Sequence, residues 1–559
     1  MAFWSTVLNA SSDTPYGRRL VCAVIDENAD LYPDKVCYSI PYSEDLRHGF
    51  RDVNWRTYAN AIDRMAHLIE KEIGRSSVFA TVMYLGYPDL RNFIVPLALI
   101  KTGHKVLFSS PRNSIIGHSE LIRQTDCKIL LHTAGFPISG ILEKCPMKTI
   151  CVPELEFLLT ATPRIPYPYN KSFEDAKNDP CLIVHTSGST GIPKPTVWTN
   201  WSISTTDNYN LVAPLEDRPT LWAADINIIK RNYCAWSIFN GAGLAASIMM
   251  TCFSGKTIVL GPPEQQTTVD TFNDMLDYAN IDSACCLPSV LEDIARRPDI
   301  LVKLNRLRML AYVGGSIPSH VGETIYQHTH LYTVMGSAET ITIVQHVTDR
   351  EDWPYVCINP TCNGIEMRPV ADLFELVYVK NPHFIGYQGI FKVFPKLQEY
   401  SMQDLYSRHP TKAHHWKYEG RKDDVIVLRN GWNFNPMLHE RTITLHPYVQ
   451  RCMVVGTSRE KPAAIIQLKP EYYTDDEMRQ KAILESIWPQ VVRANNICDD
   501  YGQIEQRYII FAKKEKPFFI SLKDTVQRKT TIHLYSQEID DLYDSIARAG
   551  LRGLFQTER

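Results

Sequence analysis

Residues 182–198, LIVHTSGSTGIPKPTVW, carry the densest chemistry in the chain. An apolar run stops at His185 and gives way to Thr186, Ser187, Gly188, Ser189, Thr190 and Gly191, with Lys194 close behind. Glycines let the backbone turn tightly and aim N–H groups inward, hydroxyls add donors, and the lysine adds positive charge. Together they suit a polyphosphate. The string is not a Walker loop, because the GxxxxGK[ST] spacing is absent. A bare Ser/Gly-rich stretch would read as a polar surface loop; the attached Pro193-Lys194-Pro195 argues for a phosphate cradle. His185 either contacts substrate or simply ends the strand.

Further short strings follow in order: Gly314-Gly315-Ser316, Met335-Gly336-Ser337-Ala338-Glu339, Gln403-Asp404-Leu405, Gly420-Arg421-Lys422-Asp423-Asp424, and Lys523 within SLKDTVQRKT. With TSGSTGIPK, this series resembles the superfamily of acyl-CoA synthetases, peptide-synthetase adenylation domains and luciferases, over about residues 18–545. A narrower likeness, in YGRRLVCAVIDENA, VLFSSPRNSIIGH and KDTVQRKTTIHLYSQEIDDLY, is to the adenylation domain of fungal peptide-synthetase-like carboxylic acid reductases. No GxxGxxG reductase fingerprint follows, and the GHSEL string at 117–121 reads as chance rather than a phosphopantetheine site.

The resemblance implies ATP and Mg²⁺ as cofactors, and a small carboxylic acid activated as its acyl-AMP. The acyl group would then pass to carrier-protein phosphopantetheine, CoA or an amine. Thr186 to Gly191 and Lys194 would hold the β- and γ-phosphates, Gly314, Gly315 and Ser316 would lie near the adenine pocket, and Met335 to Ala338 would flank the nucleotide. Glu339 would bind Mg²⁺, directly or through water, since a hard cation suits carboxylate and phosphate oxygens. Asp404 would accept from the ribose hydroxyls and Arg421 would reach ribose or phosphate. Lys523 would bridge the attacking carboxylate and the α-phosphate, and Asp423 would be a pivot. The acid and the α-phosphate are both anions, so catalysis is largely positioning and charge neutralisation.

Three positions depart from the pattern. Met335 replaces an aromatic residue, Ala338 a threonine, and Gln403 the glycine before the ribose aspartate. They motivate a second reading, a nucleotide-binding or interaction protein of the same fold with weakened turnover. Specificity is read from Phe239-Asn240-Gly241-Ala242-Gly243. Amino-acid-selecting relatives place a Phe-Asp pair there; Asn240 is a neutral amide and cannot balance a buried ammonium. The string resembles the Phe-His-x-x-Gly of relatives that take non-amino acids, with Asn240 and Gly243 at the substrate. The acid is therefore expected to lack an α-amino group, with aryl or keto acids favoured. Alternatively, Asn240 is only a buried, satisfied amide.

These groups need a scaffold. Short β-rich runs alternate with helical patterns, as a sheet covered by helices requires. TYANAIDRMAHLIEKEI (57–73) has a helical period, while SSVFATVMYLG, GKTIVLG, RMLAYVGG and LYTVMG read as buried strands. The expected class is α/β: a large N-terminal adenylate-forming domain (1–421) of stacked mixed sheets and helices, and a small mobile α+β domain (422–559). Behind the boundary VIVLRNGWNFN reads as a hairpin and RCMVVG and AAIIQL as strands. A final amphipathic helix would present Leu534, Ile539, Leu542 and Ile546. The break has no Pro/Gly-rich linker, so a tight hinge is expected.

With 559 residues, a net charge of −3 and 44% hydrophobic residues, the chain exceeds one ordinary domain. It lacks the basic surface that nucleic acid demands. Its 14 cysteines form no CxxC pair and read as reduced core residues of a cytoplasmic protein. MAFWSTVLNASSDT is not a signal peptide, TER is not a peroxisomal address, and the longest apolar run, Gly241 to Phe253, is too short to span a bilayer. No membrane partner is expected.

Overall fold

The computed structural model describes residues 16–556 apart from 163–164, 187–192, 223–228, 237, 240, 266, 314, 371, 430–432, 497, 499 and 522–524. Its first sheet has seven strands in the spatial order Leu331–Thr333, Met309–Tyr312, Ser283–Cys286, Arg231–Cys234, Thr257–Val259, Val36–Pro41 and Phe50–Asn54. All run parallel except the last. A second sheet orders Lys148–Cys151, Ile129–His132, Thr81–Leu85, Lys105–Phe108, Pro180–Thr186 and Lys194–Thr199. Only its last pair is antiparallel.

One core lies between these sheets. Alternate residues of each strand point into it, as a period of two requires. Val82 and Tyr84 face the shared core, whereas Met83 and Leu85 face a separate cluster outside. Cys234, Cys285 and Ala311 likewise face inward, while Tyr233, Cys286 and Tyr312 face out. The inner helices include Trp55–Ile73, whose Tyr58, Ile62, Met65, Ala66 and Ile69 are buried at helical spacing. The Asn54 side chain caps it by accepting from the Thr57 N–H, and Gly74 ends it at φ 77°, so the helix begins two residues before the expected window.

The four expected strands form, and all belong to these two sheets. The apolar run that begins at Gly241 becomes one bent helix, with α-helical turns Gly241–Leu244 and Met250–Ser254 flanking a π-helical turn Ala245–Met249. No helix among the described residues is long and apolar enough to cross a membrane. All 14 cysteines are free and most are buried.

A third, antiparallel sheet of six strands includes Leu373–Val379, Glu399–Arg408 and His415–Arg421. The C-terminal region has its own core around Val449–Val455, Ala463–Leu468 and Ile509–Phe511. Ile426–Val427 pairs antiparallel with Asn433–Phe434, as the Asn-Gly signal suggested. The final helix is divided, contrary to expectation. Leu534 closes a helix Arg528–Leu534, and a second helix spans Ser536–Gln556. Tyr535 between them is fully buried; its hydroxyl donates to the Lys516 carbonyl and accepts from the Lys513 N–H, which pins the junction.

Candidate active site

The parallel strands of the first sheet end at one cleft of about 1990 Å³, lined by both the large and the small domain. Ligands commonly bind at the carboxyl ends of parallel strands. Of the expected residues, His185, Thr186, Lys194, Gly315, Ser316, Met335 to Glu339, Asp404, Arg421 and Asp423 line it. Gly243 does not line it; it is buried in the short helix Gly241–Leu244. Ser187, Gly188, Ser189, Thr190, Gly191, Asn240, Gly314 and Lys523 lie outside the described residues.

At one end Thr186 stands directly opposite Lys194 across two antiparallel strands, at the two ends of the cradle sequence. His185 supports its base. The ring is buried, and its Nε2 accepts from the Ser110 N–H and the Asn113 side-chain amide, both at 3.2 Å. A backbone N–H can only donate, so Nε2 is unprotonated. Burial holds the ring down at about 4. His118, bonded through Nδ1 to Ser109 Oγ at 2.7 Å, is also held at about 4, by burial and by His185.

Glu339 sits at the tip of a second hairpin, Gly336–Ser337 against Ile341–Thr342. Gly336 is sterically required: a Cβ there would lie 2.3 Å from the Ile341 carbonyl oxygen. Ser337 Oγ accepts from the N–H groups of Glu339 and Thr340, at 3.2 and 3.1 Å, which locks the turn. Gln345 holds its root, accepting from the Met335 N–H at 2.8 Å and donating to the Thr333 carbonyl at 3.0 Å. Trp198 Nε1 donates to the Ala338 carbonyl at 2.6 Å and ties the two hairpins together. No group of three or more His, Cys, Asp or Glu among the described residues could hold a metal. A cation here would rely on Glu339 and ligand oxygens, and no Lys or Arg among the described residues pairs with that carboxylate.

The third sheet supplies the opposite wall. Asp404 and Arg421 are register partners, and Arg421 Nη1 lies 3.4 Å from Asp404 Oδ1 while Nε donates to Asp423 at 3.0 Å. Burial lowers the Arg421 pKa, but Asp423 and Asp404 outweigh it and leave it above its ordinary value. Gln403 adopts φ 59°, the left-handed conformation glycine would take. Its strand register slips there: Glu375 faces Leu405, but Val377 faces Ser401. The turn therefore survives the loss of glycine.

Next comes a short turn, Lys422–Asp424. Lys422 bonds Glu375 of the third sheet at 2.8 Å, whereas Asp424 faces Arg528 of the small domain at 3.9 Å. Burial raises the Asp424 pKa, with Arg528 opposing. Arg528 in turn donates to Glu440 at 2.6 Å. On either side of residues 522–524, Ile520 bridges Val526 and the Ser521 and Thr525 hydroxyls pair at 2.7 Å. Ser521 and Thr525 line the cleft.

Sequence reasoning missed Trp198, Gln345 and Arg441. Arg441 crosses from the small domain to donate to Ser316 Oγ, and burial lowers its pKa. Trp198 ends the cradle string and could have been flagged by its place there. Gln345 and Arg441 sit in strings with no distinguishing composition.

A family model described as AMP-binding enzyme matches residues 25–377, and one described as AMP-binding enzyme C-terminal domain matches 423–547. The carboxylic acid reductase of Neurospora crassa is 32% identical over 547 residues, covering 96% of this chain and 52% of that protein. The isocyanide synthase-NRPS hybrid crmA of Aspergillus fumigatus is 31% identical over 541 residues, covering 96% of this chain and 34% of its own length. The chain thus spans about half or less of these curated relatives. Among solved structures, the anthranilate CoA ligase AuaEII in complex with anthranoyl-AMP has a TM-score of 0.68 at 16% identity, over 93% of this chain and 97% of that one. O-succinylbenzoate CoA synthetase from Bacillus subtilis, in complex with ATP and magnesium ion, has a TM-score of 0.66 at 14% identity, over 91% and 98%. Both likenesses are of fold.

Proposed function

The chain belongs to the AMP-binding enzyme family, and on that premise we propose that it converts a small carboxylic acid and ATP into acyl-AMP and pyrophosphate. The supporting observation is one cleft that gathers the Thr186–Lys194 hairpin mouth, the Glu339 turn and the Asp404–Arg421 pair. In this reading a carboxylate oxygen attacks the α-phosphorus and pyrophosphate leaves. Thr186 to Gly191 and Lys194 hold the phosphates, and Asp404 and Arg421 hold the ribose side. Gly314, Gly315 and Ser316 flank the base. Mg²⁺, held by Glu339 and phosphate oxygens, would supply charge neutralisation. Lys523 would bridge the reacting carboxylate and the α-phosphate.

The domain break falls between Arg421 and Lys422, with Asp423 as the pivot. What supports this is that Lys422 bonds the large domain and Asp424 faces Arg528 of the small one, with Asp423 between these two anchors. The acyl group then passes to a thiol of a carrier protein or CoA, or to an amine. Asn240 at the acid pocket favours an acid without an α-amino group.

The test is acid-dependent ATP–pyrophosphate exchange over aryl, keto, fatty and amino acids. Exchange with a non-amino acid is expected. ATP binding without exchange for any acid would instead support the reading of a nucleotide-binding protein without turnover.

A further inference from the structure

Glu339 is the carboxylate that a cation in the cleft would rely on, and its side chain is only as well placed as the peptide that carries it. The bonds inside its turn fix the shape of the turn but not where the turn stands. Ala338, at the position where the resemblance expects a threonine, brings no polar side chain to anchor it. An anchor comes instead from a strand 140 residues back in the chain. Trp198 is 1% exposed, and its Nε1 donates to the Ala338 carbonyl at 2.6 Å. An indole N–H can donate but not accept, so this bond has a single sense.

The Ala338 carbonyl shares a planar peptide unit with the Glu339 N–H. The N–H end of that unit donates to Ser337 Oγ at 3.2 Å. The peptide before Glu339 is therefore held at both edges, from outside by Trp198 and from within the turn by Ser337. Planarity passes both constraints to the Glu339 Cα. Trp198 stands on the strand Lys194–Thr199, where a period of two puts Lys194, Thr196 and Trp198 on one face. Lys194 lines the cleft and Trp198 does not, so one strand carries both the cation proposed for the phosphates and the tie to the carboxylate. Gly241 completes the seat: a Cβ there would lie 3.1 and 3.2 Å from the outer edge of the indole and 3.8 Å from the Ala338 Cα. A glycine at this position leaves the indole its room.

We propose that Trp198 is a positioning residue for Glu339: by pinning the 338–339 peptide from the strand that carries Lys194, it fixes the separation between the phosphate-holding and cation-holding groups. The inference rests on the adenylation reading above. A residue in this role acts on the cation through Glu339 and touches neither nucleotide nor acid. Losing the indole N–H while keeping a ring should therefore weaken the hold on the cation and leave cation-free ATP binding as it was. A ring that served only as core packing would affect both alike or neither.

The experiment is calorimetric ATP binding across a magnesium titration, with pyrophosphate exchange measured alongside. Wild-type protein is compared with Trp198→Phe, Gly241→Ala, Glu339→Gln and the double variant Glu339→Gln/Trp198→Phe. Trp198→Phe keeps a buried ring and loses the donor. It should raise the magnesium needed for half-maximal enhancement of ATP binding by roughly three- to tenfold, the size of one lost hydrogen bond. Magnesium-free ATP affinity should stay at the wild-type value. In the Glu339→Gln background Trp198→Phe should add little, because the tryptophan acts through the carboxylate. Gly241→Ala crowds the indole edge without altering it, so a magnesium shift in the same direction there keeps the proposal testable if Trp198→Phe misfolds. An unchanged magnesium dependence in folded Trp198→Phe would overturn the proposal. So would an equal loss of ATP affinity with and without magnesium, or a full Trp198→Phe effect on top of Glu339→Gln. Each of these results, with exchange present in the wild type, leaves adenylation standing. Absence of exchange with every acid in the wild type would sink the adenylation reading and the proposal with it.

Discussion

The two walls of the cleft are built on opposite principles. The nucleotide-facing wall is held by named polar contacts: Ser337 Oγ locking the Glu339 turn, Gln345 at its root, and Arg421 between Asp404 and Asp423. Each backbone or side chain there has one geometry, because a buried polar group left unpaired is costly. The apolar wall has alanines, a methionine and cysteines whose positions follow from packing and from a π turn. Apolar contacts are non-directional, so that wall can be resized without being rebuilt. The polar wall should therefore decide whether chemistry occurs, and the apolar wall on which acid.

That division makes substitutions separable. The largest effect is expected at Lys523, whose cation would meet charge that develops only during transfer. Lys523→Ala should lower acid-dependent pyrophosphate exchange by roughly 100- to 1000-fold, with ATP affinity changed far less. Near-wild-type exchange in a folded Lys523→Ala protein would remove this residue from the site.

The next effect concerns the footing of the cradle. His118 and His185 are both held at about 4 by burial, whereas an unfolded histidine titrates near 6.5. Below about 6.5 the unfolded chain takes up protons that the folded rings refuse. Stability is thus fully present above that value and falls as pH drops toward 4. Each ring contributes on the order of 3 kcal/mol of this loss, at about 1.4 kcal/mol per pKa unit. His118→Asn should flatten the fall when denaturation midpoints are compared from pH 7 to pH 4. A slope as steep as wild type would show that the ring is protonated in place.

How far the site was legible follows the same division. Residues with their own chemistry announced themselves: Thr186 and Lys194 at the ends of the cradle string, Glu339, Asp404 and Arg421 all line one cleft although the chain separates them widely. Strands were legible where apolar runs ended in glycine. The apolar wall was not. Ala245, Ala246 and Ala311 look like ordinary core, and nothing in GAGLAASIMMTCF distinguishes a π turn from an α turn, because that choice is made by the packing around it. The split of the last helix at Tyr535 was hidden for the same reason, since it depends on Lys513 and Lys516 far back in the chain. The cross-domain contact from Arg441 to Ser316 could not be read either, because nothing in the string around Arg441 marks it as a partner of the Gly314-Gly315-Ser316 string.

Asp404→Ala tests the polar wall directly. It removes a carboxylate that would accept from the ribose, costing about 1.5–3 kcal/mol. The kcat/KM for ATP should fall by roughly 10- to 100-fold, while the ranking of acids stays as in wild type. A changed ranking would mean that the walls are not independent. Asn240→Asp tests the expected choice of acid. A new carboxylate beside an uncharged acid should cost roughly tenfold in use of the native acid and narrow the gap to its amino counterpart. Phenylpyruvate, phenylalanine and benzoate are suitable probes. Wild-type preference for phenylalanine over both others would place an acidic partner elsewhere in the cleft.

The smallest effect, and the finest test of the polar wall, is at Gln403. A non-glycine residue at φ 59° costs about 1–2 kcal/mol relative to ordinary backbone. The side chain recovers part of this, because Nε2 donates to Ser401 Oγ at 2.6 Å and the Gln403 N–H donates to the same hydroxyl at 3.0 Å. Gln403→Gly would relieve the strain but lose the side-chain bond, worth about 0.5–1.5 kcal/mol, and would gain freedom in the unfolded chain. These terms nearly cancel, so stability should shift by less than about 1 kcal/mol and the KM for ATP by less than about threefold. Gln403→Val cannot relax in this way: a β-branched side chain is poorly tolerated in the left-handed region and has no amide for Ser401. It should destabilise by more than about 1 kcal/mol and, by disturbing the slipped register that presents Asp404, raise the KM for ATP. If valine behaved like glycine, the left-handed turn would not be what positions the aspartate, and Arg421 alone would have to hold it.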